Sequence, residues 1–118
     1  MNAQESNLSG IDAFTERAAS ATRAGAEAFA RLLKLAEERD SGQIARVAAF
    51  LAATYNGQAF PLDPFELRAV DIEISDDMLC CLDALRWARA DLHTLVPDGD
   101  ERLRQVIAQW GLRWPEAE

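Results

Sequence analysis

Apolar residues recur along most of this chain at helical spacing. Ile11, Phe14, Ala18, Ala21, Gly25, Ala28, Leu32 and Leu35 advance by alternating steps of three and four, which places them on one stripe of a helix as in a coiled-coil seam. From Gly10 to Asp40 the chain is rich in Ala, Glu, Arg and Leu and holds no proline. That composition predicts a long first helix over 10–40, with Ser9 as its N-cap and Gly25 as its weak point. Residues 1–8 lack the pattern and are expected to be flexible. Asp40-Ser41-Gly42 interrupts the run, and Ser41 is placed to cap a second helix carrying Ile44, Val47, Ala48, Leu51 and Tyr55 on one side. Asn56-Gly57 should end it, because both residues tolerate the left-handed cap conformation.

Beyond "QAFPL", Asp63-Pro64-Phe65-Glu66 has the order of a helix start: Asp as cap, Pro at the first position, Glu reaching back. A short helix is expected there. Val70, Ile72 and Ile74 then alternate with Asp71 and Glu73, which predicts an extended connector with its isoleucines turned inward. Ser75 is expected to cap the next helix, running to Leu92 or Thr94 and stopped by Pro97. Its apolar sector contains Met78, Leu82, Leu85, Ala88 and Leu92, with Cys81 inside, Cys80 on the edge and Trp87 on the outer side. Asp98 and Glu101 form a second capping box, for a helix with Leu103, Val106, Ile107 and Trp110 on its apolar face and Gly111 at its end. The expected fold is therefore all-α, with four main helices plus one short helix in a compact helical bundle and no significant sheet. Residues 9–114 make one domain and 115–118 a tail in which only the preceding Trp114 can pack.

A chain of 118 residues can bury a core without a metal or disulfide. The formal net charge of −8 and the scattering of twelve basic residues among twenty acids oppose direct nucleic acid binding, which draws on clustered Lys and Arg. The start "MNAQESNLSG" has neither a positive charge nor an apolar stretch, and no run approaches the roughly 18 apolar residues of a membrane span. A cytoplasmic protein without membrane contact is expected, with Cys80 and Cys81 as free thiols.

Candidate chemistry is sparse. Neighbouring Cα atoms lie about 3.8 Å apart, below the roughly 4.4 Å a disulfide needs, so Cys80 and Cys81 cannot pair within a helix. The single histidine, His93, would stand about 18 Å from them along one helix, too far for a Cys–His dyad, and reads as a solvated residue near a helix C-terminus. Asp71, Glu73, Ser75 and Asp77 repeat oxygens like the first half of a calcium loop, yet Asp76 and Leu82 occupy the positions that need glycine and glutamate. No phosphate loop, nucleophile elbow or paired-histidine motif occurs. No catalytic residue, metal ligand or cofactor site is predicted.

"LLKLAEERDSGQIARVAAFLAATYN", followed by "FPLDPFELRAVDIEISDDML", resembles a bacterial domain family of unknown function often encoded on integrative mobile elements. The shared features are a Gly-Gln after the first helix, a Val-Ala-x-Phe-Leu helix ending in aromatic-Asn, and a Val-Asp followed shortly by Asp-Asp-Met-Leu. The similarity runs from about Leu32 through Trp87. It implies a helical fold and a mobile-element setting, and no catalytic residue. The expected function is a non-enzymatic protein–protein interaction module, binding itself or another protein, with Ile11, Phe14, Ala18, Ala21, Gly25 and Trp87 as the candidate interface. The alternatives are an inhibitor whose acidic surface mimics nucleic acid and an enzyme of unrecognised type.

Overall fold

The computed structural model describes residues 3–115, with side chains from Gly10 onward. Four helices, α1 (Ala3–Glu38), α2 (Gly42–Tyr55), α3 (Ile72–Trp87) and α4 (Gly99–Gln109), are joined with two 3-10 turns at Pro64–Arg68 and Leu92–Leu95. Among the described residues there is no strand, so the all-α bundle is the fold. No helix among them is long and apolar enough to cross a membrane.

At about 1.5 Å per residue the 36 residues of α1 account for most of the 58 Å long axis. α1 begins ahead of the expected start because residues 3–9 contain neither Gly nor Pro, and Ser9 lies inside it rather than at its cap. Of the segment expected to be flexible, residues 1–2 lie outside the described residues, as do 116–118 of the tail. The core is built where α1 meets the other three helices. Phe29, Leu32, Leu33 and Ala36 of α1 are buried with Ile44, Val47, Phe50 and Leu51 of α2, Met78 and Cys81 of α3, and Leu103 and Val106 of α4.

α3 runs antiparallel to α1, since Phe14 meets Trp87, Gly25 meets Ala84 and Arg31 meets Asp77. It starts at Ile72 instead of Ser75. The alternation over 70–74 is equally the opening of a helical row, and Ile74 enters the core with Met78 while Ile72 faces out. A latch to α2 fixes that start: Gln43 Nε2 donates to Asp71 Oδ2 (3.0 Å), and the Asp71 N–H donates to Gln43 Oε1 (2.8 Å). Ser75 is a buried first-turn residue, not a cap. The helix also ends early. Ala88 takes a left-handed conformation (φ 54°), and the chain turns so that Leu92 enters the core beside Gly25. The buried face is consequently Ile74, Ser75, Met78, Cys81 and Ala84, with Leu82 and Leu85 half-buried and Ala88 exposed.

The caps follow the sequence only in part. Asp63 accepts from the Phe65 N–H (3.0 Å) ahead of Pro64, as its position predicts. Glu66 does not reach back; it pairs with Arg46 across to α2 (2.6 Å). Asn56 is extended and not left-handed, and its side-chain oxygen accepts from the N–H groups of Gln58 and Ala59 to make the turn. Ser41 makes no side-chain cap bond, though its carbonyl accepts the first helical bonds of α2. Asp98 is left-handed (φ 54°) without a side-chain cap bond, so the second capping box does not form. Gly99 is pressed against the His93 carbonyl and Val96, and this contact holds the start of α4. Gly111 closes that helix at φ 68°. The Trp110 indole N–H donates to the Ala36 carbonyl (2.9 Å), tying the end of α4 to α1.

α1 and α3 approach closely at Gly25, where an added Cβ would collide with the Ala84 methyl and lie 3.1 Å from the Cys80 carbonyl. Gly10 has nothing within 4 Å of the same position. Gly25→Val is expected to lower unfolding free energy by more than about 2 kcal/mol through overpacking and a β-branched residue in helix. Gly10→Ala should leave it unchanged or raise it by up to about 1 kcal/mol. Urea midpoints of the two variants check the contrast.

Candidate functional site

The candidate interface divides in two. Ala18, Ala21 and Gly25 are buried inside the chain itself, where α3 occupies the seam that their spacing creates. At Gly25 the absence of a side chain lets the Ala84 methyl and the Cys80 carbonyl of α3 come close to α1. Ile11 and Phe14, on the same stripe nearer the N-terminus, are 60% and 64% exposed. Every residue from Gly10 to Arg17 is exposed, so this length of α1 projects beyond the packed bundle.

Phe14 and Trp87 come together, although separate sequence features single them out. Their rings meet edge-to-face with centroids 4.9 Å apart. The Trp87 indole is half-buried, flanked by the guanidinium groups of Arg17 at 5.6 Å and Arg86 at 5.4 Å from its centroid. Its Nε1 is buried and has no hydrogen-bond partner among the described residues. Trp87 therefore does not belong to the outer side of α3. Met78 and Cys81 face inward as expected, but Ala84 is buried while Leu82 and Leu85 are only half-buried, so the inward sector extends toward Ala84, and Trp87, about 60° farther round, meets Phe14 of α1. The outward row is instead Ile72, Asp76, Leu79, Asp83 and Arg86.

Cys81 is buried against α1, its thiol facing the Gly25 carbonyl at 3.8 Å. Burial pushes the thiol up to about 12, with smaller contributions of the same sign from Asp77 and Cys80. Cys80 is half-buried. Three of the four residues of the calcium-like run are committed elsewhere: Asp77 takes a bidentate bond from Arg31 (2.9 and 3.1 Å), Asp71 is latched to Gln43, and Ser75 is buried, while Glu73 is exposed. A cleft of about 500 Å³ opens above them, lined by Arg31, Lys34, Arg39, Glu38 and Glu73 among others, so both charge signs are interleaved along its walls.

Sequence reasoning missed the densest polar group. Tyr55 OH donates to Asp100 Oδ1 (2.7 Å) and accepts from Arg104 Nε (3.0 Å), while Arg104 pairs with Asp100 Oδ2 at 3.1 Å. His93 is not a solvated helix-end residue; its ring meets that of Tyr55 at 4.9 Å and its Nε2 is 3.9 Å from Asp100. The Tyr55 hydrogen bond, ahead of Arg104 and His93, holds the Asp100 carboxyl below its ordinary range. Forty-five residues separate Tyr55 from Asp100, and no local pattern connects them. The group clamps α2 to α4 on the surface and lines neither the 500 Å³ cleft nor the two other pockets, of 330 and 90 Å³. Trp114 adds its ring edge to Phe60 at 4.8 Å and to Tyr55 at 6.1 Å.

The family described as "Family of unknown function (DUF7673)" matches residues 26–111, most of the chain, and the chain belongs to that family. The match reaches beyond the resemblance at both ends and begins after Ile11, Phe14, Ala18, Ala21 and Gly25. No curated protein and no solved structure matches the chain.

The Cys81 environment has a pH signature. In the folded protein the thiol stays protonated to about pH 12, whereas in the unfolded chain it ionises near 9.0. Because the folded value is raised, stability from this group is complete below pH 9 and declines as pH rises from there toward 12. Cys81→Ser removes that loss, so its unfolding free energy should fall less than the parent's between pH 9 and 10.5 in denaturant titrations. In the native parent, thiol reagents should modify Cys81 at least about a hundredfold more slowly than in denaturant, and more slowly than Cys80.

Proposed function

We propose that this member of the family is a non-enzymatic protein–protein interaction module that self-associates through the N-terminal part of α1. The observation that carries the reading is the exposure of Ile11 and Phe14 on one face of a helix that projects past its own bundle. A short helical stretch with two large apolar side chains in water is marginal by itself and gains from a partner surface. Phe14 is already held in place by Trp87, which lowers the entropy lost when it is covered. The charges alongside are balanced: Asp12 and Glu16 against Arg17 and Arg23. Two copies meeting here avoid the repulsion of the −8 chain at large. A setting on a bacterial integrative element is part of the proposal and rests on the sequence resemblance.

The nucleic-acid mimic has less support. Glu37, Glu66, Asp77, Asp83 and Asp100 are each engaged by an arginine, which removes them from a continuous acidic face. For an enzyme, Tyr55, His93 and Asp100 supply acid–base groups, but they do not line the 500 Å³ cleft.

Sedimentation equilibrium on the full chain should show a dimer. Ile11→Ser with Phe14→Ser should weaken association at least about a hundredfold, since each copy loses on the order of 3 kcal/mol of apolar burial. The double variant should keep a cooperative helical melt, because neither residue is in the core. Parent and variant that are both monomeric, or that associate equally, would refute the reading.

A further inference from the structure

The apolar stripe of α1 is filled over only part of its length. From Ala18 through Gly25 its residues are buried, and α3 lies over them, with the Ala84 methyl and the Cys80 carbonyl against Gly25. α3 ends at Trp87, where the chain turns away through the left-handed Ala88. The Trp87 ring reaches Phe14 and marks the end of the filled part. Beyond it the same stripe continues through Phe14 and Ile11, both more than half exposed, on a helix that extends back to Ala3. The open seam is therefore bounded on one side by Trp87 and is free on the other.

We infer that the second copy docks on this seam with its α1 running antiparallel to the first, so that the two bundles stand at opposite ends of the dimer; this rests on the self-association proposed above. Packed helices lie about 8–10 Å apart, which leaves room for one helix over a given stripe. If the two α1 helices ran the same way with Ile11 and Phe14 of both copies facing each other, the partner's helix would continue along the stripe over Ala18, Ala21 and Gly25. α3 already occupies that space. Running the opposite way, the partner's helix reaches its own N-terminus near Trp87, and its bundle lies off the N-terminal end of the first copy. The contact is self-complementary, as a two-fold dimer requires. Charge favours the same arrangement. Residues 18–118 hold seventeen acids and eleven bases and so carry −6 of the net −8, and bundles at opposite ends are separated by several times the roughly 8 Å screening length of physiological salt.

Small-angle X-ray scattering on the full chain, at a concentration where sedimentation shows the dimer, tests the orientation. One copy is 58 Å long. Two α1 helices overlapping antiparallel by roughly fifteen to twenty residues give a maximum dimension of about 80 Å, whereas bundles side by side give about 60 Å. A spin label at Lys34→Cys, in a Cys80→Ser background with Cys81 buried, should lie beyond about 50 Å from its counterpart in the antiparallel dimer and within about 35 Å in a parallel one. Ile11→Ser with Phe14→Ser should return the scattering to that of a single copy. A dimer of about 60 Å with the short label distance would overturn the orientation and leave self-association standing. A chain that stays monomeric at every concentration would overturn both. An elongated dimer that persists in the double variant would assign the end-to-end contact to other residues and overturn the inference as well.

Discussion

The close approach of α1 and α3 at Gly25 is the constraint on which the other features depend. With no side chain at Gly25, the Ala84 methyl and the Cys80 carbonyl come up against the α1 backbone, and Leu92 closes the third side. A Cβ there would drive the helices apart and loosen Cys81 and Met78, which are packed in the same interface. The contact also fixes the rotation of α3. Once Cys81 and Ala84 face α1, Trp87 must come round to Phe14, and Ile72 and Leu79 must point to solvent. The Phe14–Trp87 contact and the outward row of α3 are therefore both tied to that one glycine.

Polar contacts set the ends of the helices more than they add stability. Arg31 with Asp77, Gln43 with Asp71, and Arg102 with Glu37 join segments far apart in sequence, at or near the surface. Exposed pairs of this kind contribute little individually. Their effect is on register: the Gln43 latch begins α3 at Ile72, and Arg102, bonded to Glu37 and to the Pro97 carbonyl, seats α4 against α1. They also absorb acids that composition would count as a free negative surface.

Two apolar pairs face outward, Ile11 with Phe14 on α1 and Ile72 with Leu79 on α3. Around Ile11 and Phe14 acids and bases balance, which suits two like copies. Around Ile72 and Leu79, Asp76 and Asp83 share the row with Arg86, and Arg68 lies over the neighbouring Phe65.

The order and type of the elements were legible in the sequence, because helix formation here depends on local composition, on the breaks at Asp40-Ser41-Gly42 and at Pro97, and on the Asp63-Pro64 and Gly111 signals. The burial of Cys81 and the small-residue stripe through Gly25 could be read the same way, from spacing alone. Which edge of the inward sector of α3 is buried could not. Met78 and Cys81 face inward on either account, and hydrophobicity alone extends the sector toward Leu82; Gly25, which admits only small groups opposite it, extends it toward Ala84 and so brings Trp87 to α1. The early end of α3 at Ala88, the clamp of Tyr55 on Asp100 and the place of His93 likewise depend on residues tens of positions away. Local periodicity specifies which residues share a helix, whereas which face turns inward is settled only when a second helix, with its own shape, is packed against it.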